Sequence, residues 1–384
     1  MKKEIHFTGG IKLLCVLAAG LFLLSACGKT EEKSAEETVL EAGFGVSNSD
    51  FEYYDVAESE KGYYFWEQMS TVVDYPLLMF RDKGSGNVVP LCNKPDCMHD
   101  VHECNAYFPG IDFVEDGIDK FYLQYYEGSL YAVGLSSDWY VTLFRIMADG
   151  SEWEIDTKLY KTDYSTGQWH TPDILIIDGY VYFVDRKQKM MKLERVPLGG
   201  GTVEVVFEGD SNAEEVQVYR MKSQDGALFF QALEFVDGNF DHATGGLYRY
   251  DFDVGQCGLI KEGLSGPYSV QNGLVYYGST DGLCCYSIQD GTMEILTDQP
   301  MDVPNITLTN KYIILFDQIG DGILYIYDHE GKELAEVSSD LKPSWYFGGN
   351  SDMLFGECRG DESFRLCFMD LNRPFEELQW EGLK

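Results

Sequence analysis

The sequence predicts an all-β fold, a single β-propeller of seven four-stranded blades, with six or eight blades as the nearest alternatives. Three observations carry this. Aromatic residues make up 14% of the chain, and 40 Gly stand against only 11 Pro, a mixture that favours strands and tight turns over helices. A short apolar strand motif recurs seven times between residue 50 and the C-terminus, on average every ~48 residues, close to a propeller-blade period. The same turn chemistry precedes most copies.

Taken in order, the motif reads Tyr63-Tyr64-Phe65, Leu130-Tyr131-Ala132, Val181-Tyr182-Phe183, Leu228-Phe229-Phe230, Val275-Tyr276-Tyr277, Tyr312-Ile313-Ile314 and Leu354-Phe355-Gly356. Glu127-Gly128, Asp178-Gly179, Asp225-Gly226 and Asn272-Gly273 stand just before four of the copies. Such pairs suit two-residue hairpin turns, which need positive φ at both central positions. A second strand follows, as in Leu143–Ile146, Leu247–Tyr250, Leu283–Tyr286, Leu324–Tyr327 and Leu366–Met369, and then a short last one, as in Val203–Phe207, Glu294–Leu296 and Glu333–Val337. Each unit is thus about four antiparallel strands. One blade cannot bury both of its faces alone, whereas blades stacked around an axis can, with Tyr and Phe filling the widening gaps. The ring closes either by blade-to-blade contact or by a strand from residues 43–55 swapped into the last blade.

Ahead of the repeats lies an address. Lys2, Lys3 and Lys12 precede an apolar stretch, Leu13–Ala26, which is shorter than the ~20 residues a membrane-spanning helix needs and fits a secretory signal. It ends in Leu24-Ser25-Ala26-Cys27, a bacterial lipobox. Small residues admit the peptidase, and the Cys27 thiol is where diacylglycerol attaches. The expected organisation is a lipoprotein signal peptide over 1–26, a lipidated Cys27 with an acidic tether over 27–49, and the propeller over 50–384. Acyl chains at Cys27 would anchor the protein to the membrane on its extracytoplasmic face.

The first repeat spacing is the longest because of an insertion at about 92–118. It holds Cys92, Cys97, His99, His102 and Cys104, five candidate ligands for an ion that takes four N/S donors. One reading is a structural zinc clip. A second follows from compartment, because exported thiols usually oxidise, giving a disulfide among Cys92, Cys97 and Cys104 with one thiol left over. A third reading leaves the thiols free; under the first two the loop carries a staple, and Tyr107, Phe108 and Phe113 should anchor it. No catalytic cofactor is expected. Elsewhere, Cys358 and Cys367 flank a hairpin turn. They would face each other directly if Glu362-Ser363 formed its centre. Cys284 and Cys285 are adjacent in a strand and should not pair, and Cys257 reads as an apolar filler.

The lipobox, acidic tether and aromatic-rich repeats resemble the extracytoplasmic propeller lipoproteins of low-GC Gram-positive bacteria, many of which carry only domains of unknown function. Pro90-Leu91-Cys92-Asn93-Lys94-Pro95-Asp96-Cys97-Met98-His99, with Cys104-Asn105-Ala106-Tyr107, resembles a signature recurring in that group. The likeness covers most of the chain and implies a cell-surface propeller with no known reaction. The blades are also loosely similar to those of TolB-type propellers, which implies protein docking.

Charge and motifs narrow the function. With 64 Asp+Glu against 29 Lys+Arg the formal net charge is −35, which repels a phosphate backbone and argues against nucleic acid as partner. No sialidase Asp-box, no G-x-S-x-G elbow and no P-loop is present. Asp251-x-Asp253-x-Gly255 starts like a calcium loop but lacks the rest of the ligand series. Two functions remain: a non-catalytic binding or scaffold propeller for envelope proteins or glycans, or a surface enzyme on glycans or peptides with a carboxylate pair at the channel mouth.

Overall fold

A computed structural model describes residues 56–382 apart from 69–75, 100–102, 109–121, 163–172, 186–187, 236–242, 298–304, 317–321, 339–340, 342, 350–352 and 360–363. The chain divides into Met1–Val39 and Leu40–Lys384, and every described residue lies in the second unit. Cys27, the tether, the 43–55 segment and His102 therefore fall outside the described residues.

The unit is a seven-bladed propeller of four-stranded antiparallel sheets. Blade 1 comprises β1 (Ala57–Glu58), β2 (Gly62–Gln68), β3 (Pro76–Asp82) and β4 (Val88–Pro90); blade 2 comprises β5 (Leu123–Tyr126), β6 (Ser129–Leu135), β7 (Tyr140–Met147) and β8 (Trp153–Lys161). Blade 3 follows with β9 (Asp173–Ile177), β10 (Tyr180–Val184), β11 (Lys192–Pro197) and β12 (Glu204–Glu208); blade 4 with β13 (Glu215–Gln224), β14 (Ala227–Phe235), β15 (Thr244–Asp251) and β16 (Gln256–Glu262). Blade 5 contains β17 (Tyr268–Gln271), β18 (Leu274–Ser279), β19 (Gly282–Ser287) and β20 (Met293–Thr297); blade 6 contains β21 (Asn305–Leu308), β22 (Ile313–Phe316), β23 (Leu324–Tyr327) and β24 (Glu333–Val337). Blade 7 is β25 (Pro343–Gly349), β26 (Met353–Arg359), β27 (Phe364–Asp370) and β28 (Glu381–Gly382). Between β27 and β28 sits a single 3-10 turn, Phe375–Glu377.

All seven copies of the repeated motif fall on or against the second strand of a blade. The reason is burial: β6 is buried at every position and β22 likewise, whereas the outer strands β12, β16 and β20 are mostly exposed. A strand covered on both faces reads as a continuous apolar run. The four predicted turns have positive φ at both central residues, for example 46° and 83° at Glu127-Gly128 and 52° and 74° at Asn272-Gly273, as a mirror-image hairpin turn requires. A register shift between third and fourth strands recurs in blades 2 to 6, a bulge that sharpens the local twist.

The core is a series of apolar clusters, each wedged between neighbouring blades. Trp66 and Phe144 share the cluster of blades 1 and 2, Val133 and Phe183 that of 2 and 3, Tyr182 and Phe230 that of 3 and 4, Phe229, Tyr276 and Leu315 that of 4 to 6, and Phe316 and Leu354 that of 6 and 7. Closure occurs where Tyr63, Phe65 and Leu77 of blade 1 meet Met353, Phe355 and Phe368 of blade 7. The Tyr63 and Phe355 rings meet edge-on at 5.1 Å, and Arg81 lies over Phe368 at 4.6 Å. Among the described residues, the last blade draws its four strands from residues 343–382.

Two expectations about cysteines need correction. Cys358 and Cys367 do form a disulfide, with Cα atoms 5.9 Å apart, but they are not directly opposite. Arg359 pairs with Phe364, which places Cys358 opposite Arg365 and Cys367 opposite Gly356. The turn holds four residues instead of two, and the bond runs diagonally across one face of the hairpin. Cys257 is not a filler: it is exposed on β16.

Candidate metal centre

β4 ends after three residues, and the chain that follows takes its place along the remaining edge of β3. Leu78 donates its N–H to the Ala106 carbonyl at 2.9 Å, and Leu77 forms a bridge with Tyr107. The described part of the insertion thus extends the outer edge of blade 1. Phe108 enters the wedge between blades 1 and 2. Its ring lies 5.6 Å from Trp66, 5.0 Å from Trp153 and 5.1 Å, edge-on, from Phe144. Tyr107 and Phe108 are both buried and anchor the segment as expected, while Phe113 lies outside the described residues.

The segment folds the four described candidates onto one point. One ligand atom each from Cys92, Cys97, His99 and Cys104 lies within 4.8 Å of all the others. Left-handed turns at Asp96 (φ 61°) and His99 (φ 58°) bring the chain back on itself, and Asp and His tolerate that conformation better than most residues. His99 Nδ1 lies 3.2 Å from Cys104 Sγ. Cys104 is buried, whereas Cys92, Cys97 and His99 are partly exposed. All three cysteines carry free thiols in this structure.

Backbone amides surround the sulfurs. Ala106 N–H donates to Cys104 Sγ at 3.4 Å. Burial pushes the Cys92 thiol up, but the N–H groups of Lys94 and Asn105 and the neighbouring Cys104 and Cys97 thiols outweigh it, and the net shift is downward. Burial dominates at Cys104, whose thiol is pushed up to about 12. Chemically, three thiols and one imidazole in this arrangement offer either four donors to one divalent ion or one disulfide with a thiol remaining.

Sequence reasoning missed the brackets that hold the cluster. The Asn105 side chain donates to the Gly150 carbonyl at 2.9 Å, to Ser151 and, at 3.2 Å, to Asn93 Oδ1. Trp153 Nε1 returns a bond to the Asn105 carbonyl at 2.9 Å. Gly150 is required here: a Cβ at φ 73° would stand 2.7 Å from the Leu91 carbonyl. Tyr107 Oη donates to the His99 carbonyl at 3.4 Å. The four residues Cys104-Asn105-Ala106-Tyr107 thus supply, in turn, a sulfur donor, a clamp on blade 2, a strand-edge pair with β3 and a bond over the His99 turn.

Neither a known protein family nor a curated protein matches the sequence. Solved structures do match. A puromycin hydrolase S511A mutant in complex with PGG aligns at 15% identity and a TM-score of 0.56, covering 88% of this chain and 53% of that one. A prolyl endopeptidase structure aligns at 11% identity and 0.55, covering 87% and 50%. BamB from Moraxella catarrhalis aligns at 13% identity and 0.42, covering 85% and 84%. The chain spans about half the length of the puromycin hydrolase and of the prolyl endopeptidase. At such identities the likeness establishes the propeller fold alone.

Proposed function

We propose that the protein is an extracytoplasmic propeller, anchored in the membrane by lipid at Cys27, that acts without catalysis as a docking platform for envelope proteins or glycans. The observation that carries the docking role is a polar seam between successive blades. Gln124 exchanges two bonds with the Ile176 backbone, at 2.9 and 2.8 Å. Gln231 Nε2 donates to the carbonyls of Leu264 (3.1 Å) and Gly266 (2.7 Å). Lys222 Nζ donates to the Tyr268 carbonyl (2.5 Å) and to Ser269 Oγ (3.1 Å), and Ser269 Oγ donates to the Ile306 carbonyl (3.2 Å). Gln124, Gln231 and Ser269 are buried and Lys222 is half-buried, and all four tie blade to blade. The result is a rigid ring that presents its loops in a fixed arrangement, which lowers the ordering cost of binding.

Two observations support the compartment. The Leu24-Ser25-Ala26-Cys27 lipobox closes an apolar signal, and the Cys358–Cys367 disulfide is the kind of bond that persists in an oxidising environment. Fractionation tests the anchor: Cys27→Ala should release the protein into the soluble fraction, and retention on membranes through a carbonate wash refutes it. Cross-linking of the anchored protein followed by mass spectrometry tests docking. Recurrent capture of one envelope protein or wall glycan is the expected result. Turnover of a wall glycan or peptide by the purified protein refutes the non-catalytic reading.

A further inference from the structure

We propose that Cys92, Cys97, His99 and Cys104 bind a single zinc ion in a closed, structural site that staples the 91–108 segment to the edge of blade 1 and the side of blade 2. The geometry is near that of a tetrahedral centre of three sulfurs and one nitrogen. With Zn–S of about 2.3 Å and Zn–N of about 2.0 Å, neighbouring ligand atoms stand roughly 3.5–3.8 Å apart. Here the four atoms lie within 4.8 Å of one another, and His99 Nδ1 already approaches Cys104 Sγ to 3.2 Å.

Three further features favour an ion over a disulfide. The cluster has three sulfurs, so any pairing leaves a thiol behind, whereas zinc uses all of them. An imidazole nitrogen joins the sulfurs, which a disulfide does not need. The backbone N–H of Ala106 points at Cys104 Sγ, 3.4 Å away. A neutral thiol is a poor acceptor, but three thiolates and one imidazole around a divalent ion carry net negative charge, and N–H donors aimed at sulfur stabilise it. Soft thiolates in a tetrahedral set select zinc among the common divalent ions. Four protein ligands leave no open position, so the ion holds structure and performs no hydrolysis. Asn105, the clamp on Gly150 and Ser151, directly follows the ligand Cys104, so ordering the ligands orders the contact with blade 2.

The test uses the full chain, exported and purified from membranes in detergent without thiol reagents. Native mass spectrometry and elemental analysis should find one zinc per chain. Replacement by cobalt should give tetrahedral ligand-field bands with thiolate-to-cobalt charge transfer. Cys97→Ser and His99→Ala should each lower zinc retention by at least about tenfold, whereas Cys257→Ser, at the exposed site on β16, leaves it unchanged. Chelation should accelerate hydrogen exchange at Ala106 and Tyr107, whose N–H groups donate to Cys104 Sγ and to the Cys104 carbonyl, and at Leu78, whose N–H donates to the Ala106 carbonyl. If a ligand variant fails to accumulate, the cobalt spectrum of the parent protein still decides. A metal-free protein overturns the proposal, whether it shows a second two-proton mass deficit beyond that of Cys358–Cys367 or complete alkylation of the three thiols.

Discussion

Gln231→Leu isolates the polar seam on which the docking proposal rests. Gln231 is fully buried, at 0% exposure, on β14. Its carbonyl accepts from Arg220 at 2.8 Å, and its amide donates at 3.1 and 2.7 Å to the carbonyls of Leu264 and Gly266 in the link to blade 5. Leucine nearly conserves the volume and removes all three bonds. The bond to the guanidinium contributes about 1.5–3 kcal/mol and each neutral bond about 0.5–1.5. Arg220 retains the Ser265 carbonyl at 2.7 Å, and the new apolar surface returns part of the loss. A net destabilisation of about 2–3 kcal/mol is expected. Urea unfolding followed by tryptophan fluorescence should show a lowered midpoint at unchanged slope. Gln231→Glu gives a second reading: the carboxylate keeps Arg220 but faces two carbonyl oxygens, so it should also destabilise. A Gln231→Leu protein within about 0.5 kcal/mol of its parent, the range of an ordinary surface change, would refute the seam as a source of rigidity.

Three further outcomes follow. Phe108→Ala empties a wedge bounded by Trp66, Phe144 and Trp153 and should cost about 3–5 kcal/mol, measured as a lowered unfolding midpoint. Cys358→Ser combined with Cys367→Ser removes a nine-residue cross-link and should cost about 2–3 kcal/mol; differential scanning calorimetry of oxidised and reduced parent should reproduce the shift. Burial, with repulsion from Arg220, holds the Lys222 amine down from 10.5 to about 7. Between those values the unfolded chain binds a proton that the folded chain has lost. The Lys222 contribution to stability should therefore rise with pH across the window, by up to about 1.4 kcal/mol per unit, read as the difference between the parent and Lys222→Gln profiles.

The ring was legible because its second strands are buried on both faces. Val181-Tyr182-Phe183 and Leu228-Phe229-Phe230 stand out as apolar runs for that reason. The turns were legible because positive φ at two successive positions leaves few residue choices, and Asp225-Gly226 is one of them. First strands were harder to see. Tyr268–Gln271 and Asn305–Leu308 have four residues each and mix apolar with polar side chains, since they bond to the neighbouring blade as well as within their own. The disulfide was readable as a pair of residues but not in its register. Sequence does not fix how many residues the turn between β26 and β27 holds, and moving from a two-residue to a four-residue turn shifts the pairing by two while keeping both cysteines on one face.

The candidate site divides in the same way. Cys92, Cys97, His99 and Cys104 are ligand types close in sequence, so chemistry alone marks them. The second layer is Asn105 against Gly150 and Ser151, and Trp153 against Asn105, contacts across more than 40 residues. No local pattern signals such a contact, because each residue alone looks like an ordinary surface or turn residue. The consequence is physical. A staple made only of the four ligands would tighten the segment onto itself without fixing where it sits. The Asn105 clamp and the Phe108 wedge supply position, and the cluster supplies local order. Loss of the ligands should therefore loosen Ala106 and Tyr107 along β3 before it disturbs Phe108, whose contacts belong to the core between blades 1 and 2.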